Sequence, residues 1–267
     1  MKKVLLASHE RSGTHFLIDT IASNFLEYRD GSELRIDLDY RDPGMDPDWT
    51  GVYCDPEQMR YCLSHDKVGR NIDGKFIQSI FKSHHPYEFF EPIWDYVNDN
   101  FAVFYIARDG RDVMTSFWHH AWAIGVGFVP RAFTVGEFMK LQPHGIIDRY
   151  HGKHTPIDMI DRWNWHITSW MYNKVPGVCY LTFEQLKTDF DATVAKIASH
   201  LELSAPDRPR VPPVMGVTPW KGEVGTWREY FTTSDTQFFW SSSTMEMRLL
   251  EQYNGAAYKQ EALSGAS

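Results

Sequence analysis

Apolar residues along this chain follow two rhythms. Short runs at Val4 to Ala7, Phe101 to Ala107 and Gly177 to Thr182 are bounded by polar or turn residues and predict buried strands. Phe76 to Lys82 predicts another, ending at Ser83-His84-His85-Pro86. Between them the spacing turns helical. Leu17, Ile18, Ile21, Ala22 and Phe25 form one stripe; Val113, Met114, Phe117, Trp118 and Ala121 form another within a helix predicted over Gly110 to Trp122. Further helices are predicted over Tyr87 to Val97, Ile157 to Asn173, Phe190 to Leu201 and Ser234 to Tyr253, with a short one near Pro56 to Leu63. Strands alternating with helices imply an α/β fold, a mainly parallel central sheet flanked by helices. The stretch 28–75 otherwise reads as irregular, 123–155 as a surface excursion and 204–226 as a Pro- and Gly-rich connection. Residues 1–255 are expected to form a single domain, and 256–267 a flexible C-terminal tail.

Composition narrows the partners. With 267 residues, 43% hydrophobic and 15% aromatic, the chain can bury a full core. Its ten tryptophans fit core packing, with an aromatic-lined acceptor pocket as the functional alternative. A net charge of −8 argues against nucleic acid as a bulk electrostatic partner, yet leaves room for a local basic pocket. The three cysteines, Cys54, Cys62 and Cys179, have neither zinc-ligand nor redox spacing. With an N-terminal apolar run too short for a signal peptide and no apolar run long enough to span a bilayer, the expected setting is reducing and cytoplasmic.

Chemistry concentrates where predicted strands end. Ser8-His9-Glu10-Arg11-Ser12-Gly13-Thr14-His15-Phe16 lies between the first strand and the first helix. A helix start presents unpaired N–H groups, and small residues at Ser12 and Gly13 let an anion approach the backbone. Thr14 follows Gly13 with no lysine between them, so this is not a Walker loop. The stretch resembles the 5′-phosphosulfate loop of sulfotransferases that use 3′-phosphoadenosine 5′-phosphosulfate (PAPS), written S/T-Y-P-K-S-G-T. Ser12, Gly13 and Thr14 match, and Arg11 stands where lysine is usual. The resemblance implies that N–H groups near Ser12, Gly13, Thr14 and His15 hold the 5′-phosphate. It assigns Arg11 to the bridging oxygen as the sulfuryl group leaves, and Phe16 to the adenine.

The remaining family elements follow in order. Tyr105, Arg108, Asp109, Arg111, Asp112, Val113 and Ser116 resemble the 3′-phosphate element, in which Arg108 and Ser116 bind the phosphate. Arg111 itself reads as part of a solvated helix start. Lys82-Ser83-His84-His85-Pro86 resembles the K-T/S-H-x-P element. Histidine titrates in the range needed to take a hydroxyl proton, and the resemblance makes His84 the general base and Lys82 a ligand of the transferring group. His85 is the rival, because a local bend would exchange the two. Phe183 occupies an adenine position where tyrosine is common. Lys221, Gly222, Gly225, Trp227, Arg228 and Phe231 resemble the glycine-rich closing segment, with Lys221 and Gly222 at the 3′-phosphate; Trp220 replaces a usual arginine and Thr226 a frequent aspartate.

The set implies a P-loop-like sulfotransferase fold, PAPS as donor, its desulfated product adenosine 3′,5′-bisphosphate (PAP), no metal, and a small-molecule acceptor hydroxyl. The alternatives are an ATP-dependent small-molecule kinase, which predicts magnesium-dependent ATP consumption, and a non-catalytic nucleotide-binding module, which predicts PAP binding without transfer.

Overall fold

The computed structural model describes residues 2–29, 35–38, 55–65, 70–72, 75–123, 129–145, 147, 154–213 and 222–263. In chain order, β1 (Lys3–Ser8) leads into α1 (Thr14–Asn24), then β2 (Arg35–Asp37), α2 (Pro56–His65) and an antiparallel pair, β3 (Arg70–Ile72) and β4 (Lys75–Ile77). Next come β5 (Ile80–Ser83), α3 (Tyr87–Phe90), α4 (Trp94–Asn100), β6 (Phe101–Ala107) and α5 (Gly110–Ala123). The rest comprises α6 (Val135–Met139), α7 (Met159–Ile167), β7 (Val178–Thr182), α8 (Phe183–Thr188), α9 (Phe190–His200) and α10 (Thr233–Leu263).

The main sheet has the order β2-β5-β1-β6-β7, and every neighbouring pair in it is parallel. Such strands must be covered on both faces, which is why β5 and β6 are buried throughout. Alternation along each strand sorts the side chains into two cores. Leu5, Phe81, Val103 and Tyr105 pack with α5, α7 and α10 on one face. Leu6, Ile80, Phe104 and Ile106 pack with α1 and α9 on the other. The register sets Ala7 opposite both Ser83 and Tyr105, so β1, β5 and β6 end at one level. The crevice beyond those carboxyl ends is where open parallel sheets bind ligands.

Several sequence expectations need correction. The strand expected over Phe76 to Lys82 is two strands, because the Gln78 amide turns away to the Glu27 carbonyl at 2.8 Å and β4 pairs with β3 instead. The excursion at 123–155 is partly core: Val129, Val135, Phe138, Met139 and Ile147 are buried, and α6 starts at a capping box made by Thr134 and Glu137. α8 is an additional helix, opened by the same device at Thr182 and Gln185. α10 continues past Tyr253 to Leu263; residues 264–267 lie outside the described residues. Among the described residues, no helix is long and apolar enough to cross a membrane.

Candidate active site

The loop between β1 and α1 is a tight turn closed by the Ser12 amide on the His9 carbonyl at 3.3 Å. Arg11 has φ of 66° and Gly13 of 94°, both in the left-handed region. Glycine is needed at the second position for a further reason: a Cβ there would lie 2.5 Å from Cδ2 of Phe183. The first helical bond runs from Leu17 N to Gly13 O at 3.0 Å, so the amides of Thr14, His15 and Phe16 precede the helical ladder. Ser12 Oγ is buried with no hydrogen-bond partner among the described residues. A buried hydroxyl without a partner among the described residues, beside amides that precede the helical ladder, suits an incoming oxyanion.

Two guanidinium groups converge on this loop. Arg11 donates its Nε to Ser116 Oγ at 3.0 Å, carrying it from the β1 loop to α5. Arg108, just past the end of β6, donates to the carbonyls of Arg11 at 3.3 Å and Glu223 at 2.8 Å, and its Nε has no partner among the described residues. Burial, and then the charge of Arg108, lower the Arg11 pKa to about 10. Cations gathered in a site that disfavours them mark a place for an anion. Arg11 and Ser116, which the family pattern sends to opposite ends of the nucleotide, are here bonded to each other.

Beside them lies an aromatic pair. Phe16 and Phe183 meet edge to face, with centroids 6.1 Å apart. Arg108 sits 4.4 Å from the Phe183 centroid, and the Lys187 ammonium lies over both rings, at 5.4 Å from Phe16 and 6.0 Å from Phe183. Lys187 is a neighbour that sequence reading missed, although its position one helical turn after Phe183 was the available signal.

His84 follows the last residue of β5. Its Nδ1 lies 2.7 Å from the carbonyl oxygen of Ser8, which can only accept, so Nδ1 carries a proton and Nε2 is the nitrogen that holds the lone pair in the neutral ring. The same Nδ1 is 3.3 Å from Ser8 Oγ, which in turn bonds Thr14 Oγ1 at 2.6 Å, linking the histidine to the start of α1. His85 has a different environment. It is 1% exposed, bonds Ser83 Oγ at 2.7 Å and stacks on Phe89 at 3.9 Å. Lys82 is buried in β5 opposite Leu6. His15 is exposed on the first turn of α1, and Lys221 lies outside the described residues.

A buried polar network underlies the loop, and sequence reading missed it. Arg162 on α7 grips both carboxylate oxygens of Glu10, at 2.8 and 2.7 Å, and donates to His9 Nε2 at 2.7 Å. His166 donates Nε2–H to the His84 carbonyl at 3.2 Å and accepts from the Tyr105 hydroxyl at 2.9 Å. Burial is the main cause that keeps both His9 and His166 neutral, with the His9 pKa lowered to about 3.

The closing segment is tied down by Asp112. Its carboxylate accepts from Gly225 N at 2.7 Å, Thr226 Oγ1 at 2.9 Å and Trp227 N at 3.0 Å. Gly222 precedes this anchor. Arg111 is not solvated. It is 1% exposed, forks onto Asp109 at 3.0 and 2.7 Å, and lies 4.0 Å from the Trp227 centroid and 5.4 Å from that of Trp240. Its partners on the closing segment and α10 are far away in sequence, so local polarity misreads it.

Solved structures of known proteins share this fold. The mouse sulfotransferase SULT7A1, solved in complex with PAP, is 19% identical; the match covers 98% of this chain and 89% of that one, with a TM-score of 0.62. Retinol dehydratase in complex with androsterone and PAP is 17% identical over 92% of this chain and 80% of that one, with a TM-score of 0.52. Retinol dehydratase with retinol and PAP is 18% identical over 92% and 81%, with a TM-score of 0.53. At these identities the likeness shows the fold. No curated protein sequence matches the chain. The family model described as Sulfotransferase domain matches residues 1–211 of the 267, and the chain therefore belongs to the sulfotransferase domain family and is an enzyme of that class.

Proposed function

We propose that this chain transfers the sulfuryl group of PAPS to the hydroxyl of a small-molecule acceptor, releasing PAP. The observation that carries this reading is the meeting of Arg11, Arg108 and the Ser12 hydroxyl, which lacks a partner among the described residues, beyond the carboxyl ends of β1 and β6 and beside Phe16 and Phe183. The residues fit a phosphorylated adenosine. Ser12 Oγ, Arg108 Nε and the amides before Leu17 offer donors for phosphate, and the two phenylalanines offer faces for a base. Ser116, Gly222 and Lys221 are assigned to the 3′-phosphate by the family pattern.

When bound, PAPS supplies a sulfuryl group attached to a phosphate leaving group, so the chain need only move one proton and steady one charge. His84 Nε2 takes the acceptor's proton as the hydroxyl oxygen bonds to sulfur. The bridging S–O bond breaks and leaves its electron pair on the phosphate, the oxygen to which we assign Arg11, with Lys82 at the transferring group. The Ser8 carbonyl supports His84 in this role by fixing its tautomer at 2.7 Å. The neighbours solved with androsterone and retinol support a small hydroxylated acceptor, as does the net charge of −8, which disfavours polyanions. A reducing, cytoplasmic setting fits Cys179, a buried free thiol whose pKa burial pushes up to about 11.

The test is turnover with labelled PAPS against a panel of hydroxyl acceptors, with the wild type compared to His84→Ala. The variant is expected to lose about 100-fold or more in kcat while binding PAP as the wild type does. Undiminished transfer by His84→Ala would overturn the base assignment, and the absence of any PAPS-dependent product would overturn the reading as a whole.

A further inference from the structure

The turn that ends β1 runs against its own local preferences. Its third residue is Arg11, at φ of 66°. Turns that need positive φ at this position favour glycine or asparagine, because a Cβ in the left-handed region crowds the next carbonyl. Such a residue persists only where its surroundings over-determine it.

Here the surroundings converge on one side chain. Arg162 is 3% exposed and reaches the loop from α7. It holds His9 and Glu10, the first two residues of the turn, by bonds of 2.7 to 2.8 Å immediately before the strained third. Its Nε points to the Ile147 carbonyl at 3.4 Å, which ties the guanidinium to the segment after α6. Burial resists a charge on Glu10, but the Arg162 guanidinium outweighs it and keeps the carboxyl well below the usual carboxylate range. The fork therefore stays ionised at neutral pH. Only a planar guanidinium can serve both carboxylate oxygens and the imidazole nitrogen together; an ammonium is a single point charge.

We propose that Arg162 is a positioning residue for the donor loop: by clamping Glu10 and His9 it holds the left-handed backbone at Arg11, so that the loop is preset for the phosphosulfate before the donor arrives. This rests on the reading of the loop as the phosphosulfate site. A preset loop shows in donor affinity, because its ordering is then not charged against binding. The contact to Ile147 belongs to the same clamp, so one side chain joins the donor loop to the segment that precedes α7.

The test combines steady-state kinetics, PAP calorimetry and thermal melting on the full chain, comparing wild type, Arg162→Lys and Glu10→Gln. Both variants are expected to raise the KM for PAPS and the Kd for PAP by about tenfold. The acceptor KM should stay unchanged, and kcat at saturating PAPS should stay within about twofold. A merely structural Arg162 would lower the folded fraction, and with it kcat per mole, while leaving the donor KM of the surviving molecules at its wild-type value; that result overturns the proposal. If Arg162→Lys does not fold, Glu10→Gln decides alone, since it removes the ion pair while keeping size and hydrogen bonding. A wild type that binds no PAP defeats the donor-site reading and the clamp with it, whereas wild-type binding with unchanged variants defeats the clamp alone.

Discussion

At the scale of single residues, the chain shows how differently local and distant determinants are written. Arg11, Ser12, Gly13, Thr14, His15 and Phe16 are contiguous, and their chemistry could be read from a strand, a small-residue turn and a helix start. The partner of Glu10 could not, since Arg162 lies 152 residues away and reads as an ordinary charge on a helix. The same distance effect misled the reading of Arg111, whose tryptophan neighbours meet it only in the folded chain. Gly13 carries a prediction of its own. Gly13→Ala sets a Cβ both in a left-handed conformation and 2.5 Å from Phe183, so either the turn or the ring must move. We expect the Kd for PAP to rise by at least about tenfold, with a stability loss of about 1–2 kcal/mol. Calorimetry and denaturant titration read the two effects, and unchanged PAP binding would show that Phe183 can yield without consequence.

At the scale of elements, periodicity located β1, β6, β7 and the helices that cover them, because a buried parallel sheet leaves unbroken apolar runs. It failed where local chemistry rather than burial sets the boundary. The break between β4 and β5 depends on the Gln78 amide finding Glu27, a contact without a sequence pattern. α6 did have a signal, the Thr134-x-x-Glu137 spacing of a capping box, in a stretch otherwise read as surface. The start of α5 is fixed by close packing. A Cβ on Gly110 would lie 2.6 Å from Phe239 and 2.8 Å from Trp163, so α10 and α7 both press on its first turn. Gly110→Ala is expected to cost about 1–3 kcal/mol by overpacking and to lower the melting temperature by about 3–10 °C. A scanning calorimeter checks this; an unshifted transition would mean that the three helices part easily.

At the scale of the whole molecule, the alternation of elements gave the fold class, but the strand order emerges only from long-range pairing, with β1 central between β5 and β6. Glu184 and His9 are two of the buried groups that make global stability depend on pH, and they act in opposite senses. Burial raises the Glu184 carboxyl to about 7, above its unfolded value of 4.5, so its contribution is full below 4.5 and is lost as pH rises toward 7. Burial, reinforced by Arg162, lowers His9 from 6.5 to about 3, so its contribution is full above 6.5 and is lost as pH falls toward 3. Between pH 4.5 and 6.5 the two slopes oppose each other. Relative to the wild type, Glu184→Gln should therefore steepen the loss of stability as the solution is acidified from 6.5, and His9→Asn should lessen it, each by up to about 1.4 kcal/mol per pH unit. Urea midpoints across that range would show it, and parallel profiles for all three proteins would refute it. One last consequence follows from Arg108, whose guanidinium already serves two neutral carbonyls, those of Arg11 and Glu223. Its Nε stays unspent among the described residues, so an arriving phosphate gains a charge-assisted bond without displacing either carbonyl. On the proposed reading, the resting cleft therefore favours molecules that carry their own negative charge over plain adenosine, whose ring alone has only phenylalanine to meet.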